Sequence, residues 1–199
     1  MINEYFKELE QNHRIFLSLK LPVVLRLDGK DITKNHKKYP LMDIHGFTYY
    51  LNKTGKKIVS GKTCMIYAAL DEINFIFSDP REFFHAFDDT NSLYCAGIFL
   101  QQFCKEFWKY YPEVKFGISI FSIPKDKIDE YVNYRKELCK TAAVFYFAKE
   151  NLTVQEYKGK TEQELIRYLK FKKLYSKLAT HPFFMTGIQT NIRTDFWDL

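Results

Sequence analysis

Two stretches decide how this chain folds: Val23-Val24-Leu25-Arg26-Leu27-Asp28-Gly29-Lys30, and Tyr67-Ala68-Ala69-Leu70-Asp71-Glu72-Ile73-Asn74-Phe75-Ile76-Phe77. The first is a continuous apolar, β-branched run that suits a strand buried on both faces. It ends in an aspartate followed by glycine. In the second, Cys64–Ala69 and Ile73–Phe77 have strand composition, and only Leu70-Asp71-Glu72 separates them, which predicts a tight hairpin. That turn would present Asp71 beside the tip of the first strand. Two hydrophobic strands with carboxylates at adjoining tips could hold Mg²⁺ over a nucleoside triphosphate. Mg²⁺ takes carboxylate oxygens, keeps several waters and shares the substrate's phosphates. Carboxylate pairs bridging two such ions recur in polymerases and related transferases.

Outward from these strands the chain alternates helix and strand. Residues 2–19 carry apolar side chains three to four apart (Ile2, Tyr5, Phe6, Leu9) and read as a helix stopped by Pro22. Residues 44–60 read as a second helix. Asn91–Tyr111 reads as a third, with Asp88-Asp89-Thr90-Asn91 as cap candidates and Pro112 beyond its end. Val114–Ser122 alternates apolar and small residues and reads as a strand, and Lys125–Glu150 reads as a long helix. Thr161 with Glu164 forms a capping-box pattern for a helix running to about Leu169. The central strands are joined too tightly for a parallel crossover. The expected fold is therefore α+β: a palm-like domain with an antiparallel or mixed sheet and helices packed on one face, which the family resemblance described below makes a polymerase-like palm. A single domain over 1–199 is expected, with 171–199 the least defined segment. No internal repeat or low-complexity linker is visible.

The 199 residues are 46% hydrophobic, ample for a core, and carry a formal charge of +6. A moderately basic surface favours polyanions such as tRNA or nucleotides, though an ordinary lysine-rich surface looks the same. The pairs Lys37-Lys38, Lys56-Lys57 and Lys172-Lys173 are scattered rather than gathered into a tail. Cys64, Cys95, Cys104 and Cys139 lack paired-ligand spacing and sit among apolar residues. Buried free thiols in a reducing compartment follow, not a zinc site. His36, His45, His85 and His181 have no companion at metal-ligand spacing. The N-terminus lacks signal-peptide character, and no apolar run approaches the roughly 20 residues needed to cross a bilayer. The expectation is a cytoplasmic protein with no membrane partner.

Taken together, the motifs resemble the tRNA(His) guanylyltransferase-like family, the 3′-to-5′ polymerases, and within it the short branch that repairs tRNA 5′ ends. Val-Val-Leu-Arg-Leu-Asp28-Gly29-Lys30 resembles its first metal motif. Leu70-Asp71-Glu72 between strands resembles its Ser-Asp-Glu hairpin. Phe121-Ser122-Ile123-Pro124-Lys125 with Tyr131-Val132-Asn133-Tyr134-Arg135-Lys136 resembles its strand, proline and Tyr-x-x-Trp-Arg-Gln helix. Gly187 resembles its closing Arg-Gly segment. The resemblance implies a palm and a nucleotidyltransferase that adds nucleotides to an RNA 5′ end in the 3′-to-5′ direction. It further implies two Mg²⁺ ions, ATP and GTP as substrates, tRNA as partner and a homotetramer. Asp28 and Asp71 would be catalytic metal ligands, and the Gly29 carbonyl would complete one site. Glu72 would be a further acidic residue of the catalytic group, supporting from behind. Gly29, Lys30, Arg135 and Lys136 would face the nucleotide.

Departures from the pattern sharpen the question. Leu70 replaces the serine, and Lys136 the glutamine. Leu138 replaces the helix aspartate, Thr141-Ala142 a polar pair, and Met185-Thr186 a lysine-arginine pair. An aspartate expected near Phe116 or Gly117 is missing. These losses fall on phosphate- and RNA-contacting positions, so weaker triphosphate affinity is expected. Two alternatives stand beside the transferase. One is a nucleotide- or RNA-binding palm protein with weak or no catalysis. The other is a palm nucleotide cyclase or oligonucleotide synthetase acting on free NTP.

Overall fold

The computed structural model describes residues 4–7, 20–32, 41–84, 92–180 and 187–192, with residues 41–45 described by backbone alone. Residues 4–7 form a helical turn, α1. There follow β1 (Val23–Gly29), α2 (Leu41–Ile58), β2 (Cys64–Ala69), β3 (Glu72–Phe77), α3 (Pro80–Phe84) and α4 (Ser92–Phe107). After these come β4 (Phe116–Ser122), a 3₁₀ turn (Lys125–Lys127), α5 (Ile128–Asn151), α6 (Val154–Tyr157), α7 (Glu162–Phe171), α8 (Tyr175–Ala179) and β5 (Ile188–Ile192).

The strands form one sheet in the order β4-β1-β3-β2-β5, antiparallel at every pairing. The α+β palm expected from the sequence is the fold observed. β1 lies at the centre between β3 and β4, which accounts for its unbroken apolar run: Val23, Val24, Leu25 and Leu27 are all fully buried. Along β1 the register sets Arg26 opposite Asn74 and Ser119, and Asp28 opposite Glu72 and Gly117. Side chains alternate between faces, so these polar residues share one face while Leu25, Leu27, Ile73 and Phe75 share the other.

The apolar face is covered by α2 and α4. Phe75 meets Phe99 edge-on with ring centroids 4.7 Å apart, and Phe107 lies against Phe47 and Phe116 at 5.0 and 5.3 Å. Such pairs add roughly 0.5–1.5 kcal/mol each beyond the area they bury. Helices cover both faces rather than one. On the polar face α5 crosses the sheet, and Tyr131 donates its hydroxyl proton to Asn74 Oδ1 at 2.7 Å. α7 packs behind α5 through Leu165 and Leu169. Placed between sheet and α7, α5 is apolar on several sides, which blurs its periodicity.

Most elements lie within a few residues of where the sequence puts them. The capping box at Thr161 is present: Thr161 N–H donates to Glu164 Oε2 at 2.7 Å, and Glu164 N–H donates to Thr161 Oγ1 at 3.3 Å. The helix it opens continues to Phe171. The short α3, α6 and α8 and the edge strand β5 were not legible in the sequence. Residues 8–19, the cap candidates 88–91, His36, His85, His181 and the segment 183–186 lie outside the described residues, as does the side chain of His45. Among the described residues, no helix is long and apolar enough to cross a membrane.

Candidate active site

The site forms where β1 ends against the β2–β3 hairpin. Ala69 pairs with Glu72, so the turn is the two residues Leu70 and Asp71. Such turns commonly need positive φ at the first position and therefore favour glycine there. Here Leu70 adopts φ +50, a conformation costing a leucine on the order of 1–2 kcal/mol. Two features offset that strain. The Leu70 side chain is buried, and its carbonyl accepts a hydrogen bond from Thr48 Oγ1 at 2.9 Å.

Gly29 joins the two tips. Its N–H donates to the Asp71 carbonyl at 2.8 Å. A Cβ at position 29 would lie 2.9 Å from Ile32 Cγ1, 3.1 Å from the Asp71 carbonyl oxygen and 3.4 Å from Asp71 Cβ. The glycine is needed because the two strands approach too closely for any side chain between them. Asp28 precedes it in β1, and the backbone of Asp71 closes on it from the hairpin turn.

Asp28 and Glu72 face each other directly across β1 and β3, an arrangement of like charges that destabilises a sheet. The protein answers with two cations. Lys30 Nζ stands 3.7 Å from Asp28 Oδ2, and both side chains are part exposed, at 56% and 40%. Lys30 lies across Gly117, where an added Cβ would come within 2.4 Å of its Cε and Nζ. The missing side chain at 117 is therefore what lets the lysine reach Asp28.

Glu72 is answered from α5. Arg135 donates from Nε to Glu72 Oε1 at 2.9 Å and from Nη2 to Oε2, a two-pronged pair with side chains only 7% and 12% exposed. Asn74 Nδ2 adds a donor to Glu72 Oε1 at 3.1 Å. Burial pushes the Glu72 carboxyl up, but the charge and hydrogen bonds of Arg135, with Arg26 and Asn74 behind them, outweigh it and hold Glu72 below the usual carboxylate range. Beneath this pair, Cys139 is pushed up to about 12, by burial first and by the Glu72 charge second, and stays a thiol. Tyr67 is likewise pushed up by burial and stays protonated.

The structure therefore brings Asp28, Gly29, Lys30, Asp71 and Glu72 together, and ties in Arg135 through Glu72. Lys136, next along α5, is half-buried and does not line the cavity beside the hairpin. That cavity, about 300 Å³, lies between the hairpin turn and α5, with Leu70, Asp71, Leu138 and Ala142 in its wall. Asn74, Tyr131 and Cys139 also belong to the site's support and were not among the site residues expected from sequence. A signal existed: Asn74 interrupts an apolar strand, and Tyr131 sits one helical turn before Arg135 on the same face.

Among the described residues, no cluster of three or more His, Cys, Asp or Glu side chains is arranged to hold a metal ion; Glu72 is paired with Arg135. Two carboxylates and a carbonyl nonetheless form the oxygen donor set Mg²⁺ accepts when water and substrate phosphates fill its remaining positions. The residues present fit such an open site.

A sequence model of the tRNAHis guanylyltransferase family matches residues 3–145. The chain belongs to the tRNAHis guanylyltransferase family. Solved structures agree in fold. A bacterial tRNA(His) guanylyltransferase-like protein in complex with ATP has a TM-score of 0.66 at 18% identity, covering 96% of this chain and 88% of that one. A bacterial guanylyltransferase-like protein in complex with GTP gives 0.64 at 18% identity, covering 94% and 83%. The tRNA(His) guanylyltransferase of Saccharomyces cerevisiae gives 0.64 at 18% identity, covering 92% and 94%. No curated protein sequence matches the chain. Gly187, just before β5, adopts φ +67. A Cβ there would lie 2.6 Å from the Ala68 carbonyl oxygen.

Proposed function

We propose that this chain is a Mg²⁺-dependent nucleotidyltransferase that adds nucleotides to an RNA 5′ end, with tRNA and nucleoside triphosphates as substrates, in the 3′-to-5′ direction. The supporting observation is the junction at Gly29, whose N–H donates to the Asp71 carbonyl and so brings the residue after Asp28 against the hairpin turn, in a chain of this family. Asp28, Asp71 and the Gly29 carbonyl would hold the metal. Bound there, Mg²⁺ would lower the cost of charge on the attacking oxygen and the triphosphate leaving group. Lys30 would shield Asp28 before substrate arrives and turn outward toward phosphate afterwards. Glu72 and Arg135 would act as positioning residues: their ion pair fixes the first residue of β3 against α5 and so fixes the turn carrying Asp71.

A second reading, a nucleotide- or RNA-binding palm protein with weak catalysis, draws on one observation. Arg135 is bound to Glu72 and buried, which withdraws a cation from phosphate binding. A product assay with labelled ATP and GTP, Mg²⁺ and 5′-truncated tRNA separates the readings. Extension of the RNA 5′ end is expected, and Asp28→Asn and Asp71→Asn should each abolish it without changing thermal unfolding. Turnover retained in either variant would remove the metal assignment. Products formed from NTP without RNA would point instead to cyclase or synthetase chemistry.

A further inference from the structure

A concentration of positive charge lies away from the carboxylate tips. Residues 151–180 hold seven lysines and arginines against three glutamates, and so carry four of the chain's formal +6. They include α6, α7 and α8, beyond residue 145 where the family match ends, and α5 stands between α7 and the sheet.

At the end of α7 the lysines surround an aromatic ring. Phe171 is 79% exposed, more than any other large apolar side chain among the described residues. Lys170, Lys172 and Lys173 flank it, all exposed. Tyr168 lies beside it, with ring centroids 6.4 Å apart and planes 29° from parallel. The Tyr168 ring is pinned. Its hydroxyl donates to Glu156 Oε1 at 2.7 Å, and Lys172 Nζ reaches the same oxygen at 3.1 Å. Lys160 and Lys172 lie over that ring, 5.7 and 5.5 Å from its centroid.

The needs of the fold do not account for this arrangement. α7 buries Leu165 and Leu169 and leaves Phe171 outside. Lysines near a helix C-terminus complement its dipole, which covers Lys170 and Lys172 but not the ring between them. The helix closes with Leu174 N–H donating to the Leu169 carbonyl at 2.9 Å and Lys173 N–H to the Lys170 carbonyl at 3.0 Å. That closure needs a left-handed residue after the cap, a position that favours glycine. Lys173 holds it at φ +58. A lysine kept where glycine would relieve strain breaks a local rule, as residues retained for binding do.

An exposed ring among lysines suits a ligand with flat π faces and repeating negative charge. A single nucleic-acid strand has both: its bases are free to stack, and its phosphates take the ammonium groups. In a duplex the bases already stack on one another and offer the ring nothing. A membrane surface fits less well, because the apolar face of α7 is buried in the protein and one ring is left to insert.

We propose that the C-terminal end of α7 is a docking surface for a single nucleic-acid strand, with Phe171 stacking on a base and Lys170 and Lys173 pairing with phosphates. The surface accepts RNA and DNA of any sequence, because neither a ring nor an ammonium reads a base edge. It does not rest on the nucleotidyl-transfer reading, since nothing at Asp28 or Asp71 enters it.

Fluorescence anisotropy with the full chain tests this, using labelled oligo(dT) and oligo(U) of about 12 nucleotides, within the site sizes of single-strand binders. A duplex of the same length, polyphosphate and phosphatidylserine vesicles are the comparisons. Both oligonucleotides should bind more tightly than the duplex. Phe171→Ala should weaken them by about fivefold or more and leave the salt slope unchanged, because it removes stacking and no charge. Lys170→Gln and Lys173→Gly should each make the log–log salt slope shallower by about 0.7. Lys173→Gly should at the same time raise the thermal midpoint, so its weaker binding cannot come from a damaged fold. The proposal is overturned if Phe171→Ala binds like the parent, or if duplex or polyphosphate binds as tightly as the single strands. It is equally overturned if vesicles take up the chain through Phe171 and the oligonucleotides do not bind. The transferase reading fails separately. Oligonucleotide binding that Phe171→Ala weakens, without RNA extension by the parent, keeps this surface and removes the enzyme. Extension by the parent, with oligonucleotide binding indifferent to Phe171→Ala, does the reverse.

Discussion

Replacing Arg135 with leucine tests whether the arginine serves the fold or the phosphates. The change removes two charge-assisted hydrogen bonds and strands Glu72, whose side chain is 12% exposed, with Asn74 as its remaining close donor. Breaking a buried ion pair by deleting one partner costs about 3–5 kcal/mol. The lower end applies here, because Asn74 and the charge of Arg26 still favour the carboxylate. About 3 kcal/mol in a chain of this size corresponds to a fall in Tm of roughly 6–12 °C. The pH dependence follows from the sign of the shift. In the parent, Glu72 lies below its unfolded value, so its contribution is present above that value, about 4.3, and is lost as pH falls through the folded pKa. Without Arg135, burial is the largest remaining influence and raises Glu72. The variant should then gain stability as pH drops from neutral through that raised value, narrowing its gap to the parent. Glu72→Gln with Arg135→Leu should recover much of the loss, since no buried charge remains. Urea unfolding of the parent and the two variants at pH 7 and pH 5 measures all of this. A loss under about 1 kcal/mol for Arg135→Leu, with no narrowing at pH 5, would refute the structural role. Arg135 would then belong to phosphate binding.

Gly187→Ala should destabilise by about 1–3 kcal/mol in urea, because φ +67 and a Cβ 2.6 Å from the Ala68 carbonyl oxygen act together. Gly61→Ala, at φ +80 with nothing within 4 Å, should cost only the backbone part, and the difference isolates the clash at β2. Binding of tRNA should fall as salt rises, with a log–log slope of about −0.9 for each duplex phosphate neutralised. Lys57 and Lys172 are already held by Glu106 at 2.6 Å and Glu156 at 3.1 Å. Titrations across salt should therefore show that Lys57→Ala changes the slope by less than one contact, and that no single lysine substitution abolishes binding.

The parts of the fold legible in the sequence were those written in local chemistry. The run from Val23 to Leu27 announces a central strand, the three residues after Ala69 announce a turn, and Thr161 with Glu164 announces a helix start. β5 was not legible because Ile188–Ile192 carries Gln189, Thr190 and Asn191, a polar content that suits an edge strand and resembles a loop. The long helix α5 hid its placement because residues buried against the sheet and against α7 fall on different sides of it. For the site, the carboxylate tips could be read from strand endings, since the residue types and the turn stand in one short segment. The Arg135–Glu72 pair could not. It depends on how a helix crosses a sheet, and no local pattern sets that crossing. Lys30 reaching Asp28 depends on a glycine far along the chain, Gly117 on β4, and that dependence appears only once the register is known.

The position of β5 bears on how the protein is made. β5 pairs with β2 from Cys64↔Ile192 to Ala68↔Ile188, so a strand translated early is sealed by one translated much later. Domains emerge from the ribosome N-terminus first, and unpaired strand edges in partly made chains invite aggregation. Until β5 arrives, the growing polypeptide carries β2 as an open border whose backbone donors and acceptors face outward, with Tyr67 and Ala68 flanking them. A nascent chain stalled before Gly187 would present that border to any neighbour on the same message. Chaperone demand during synthesis should therefore concentrate in the interval between the completion of β3 and the release of β5.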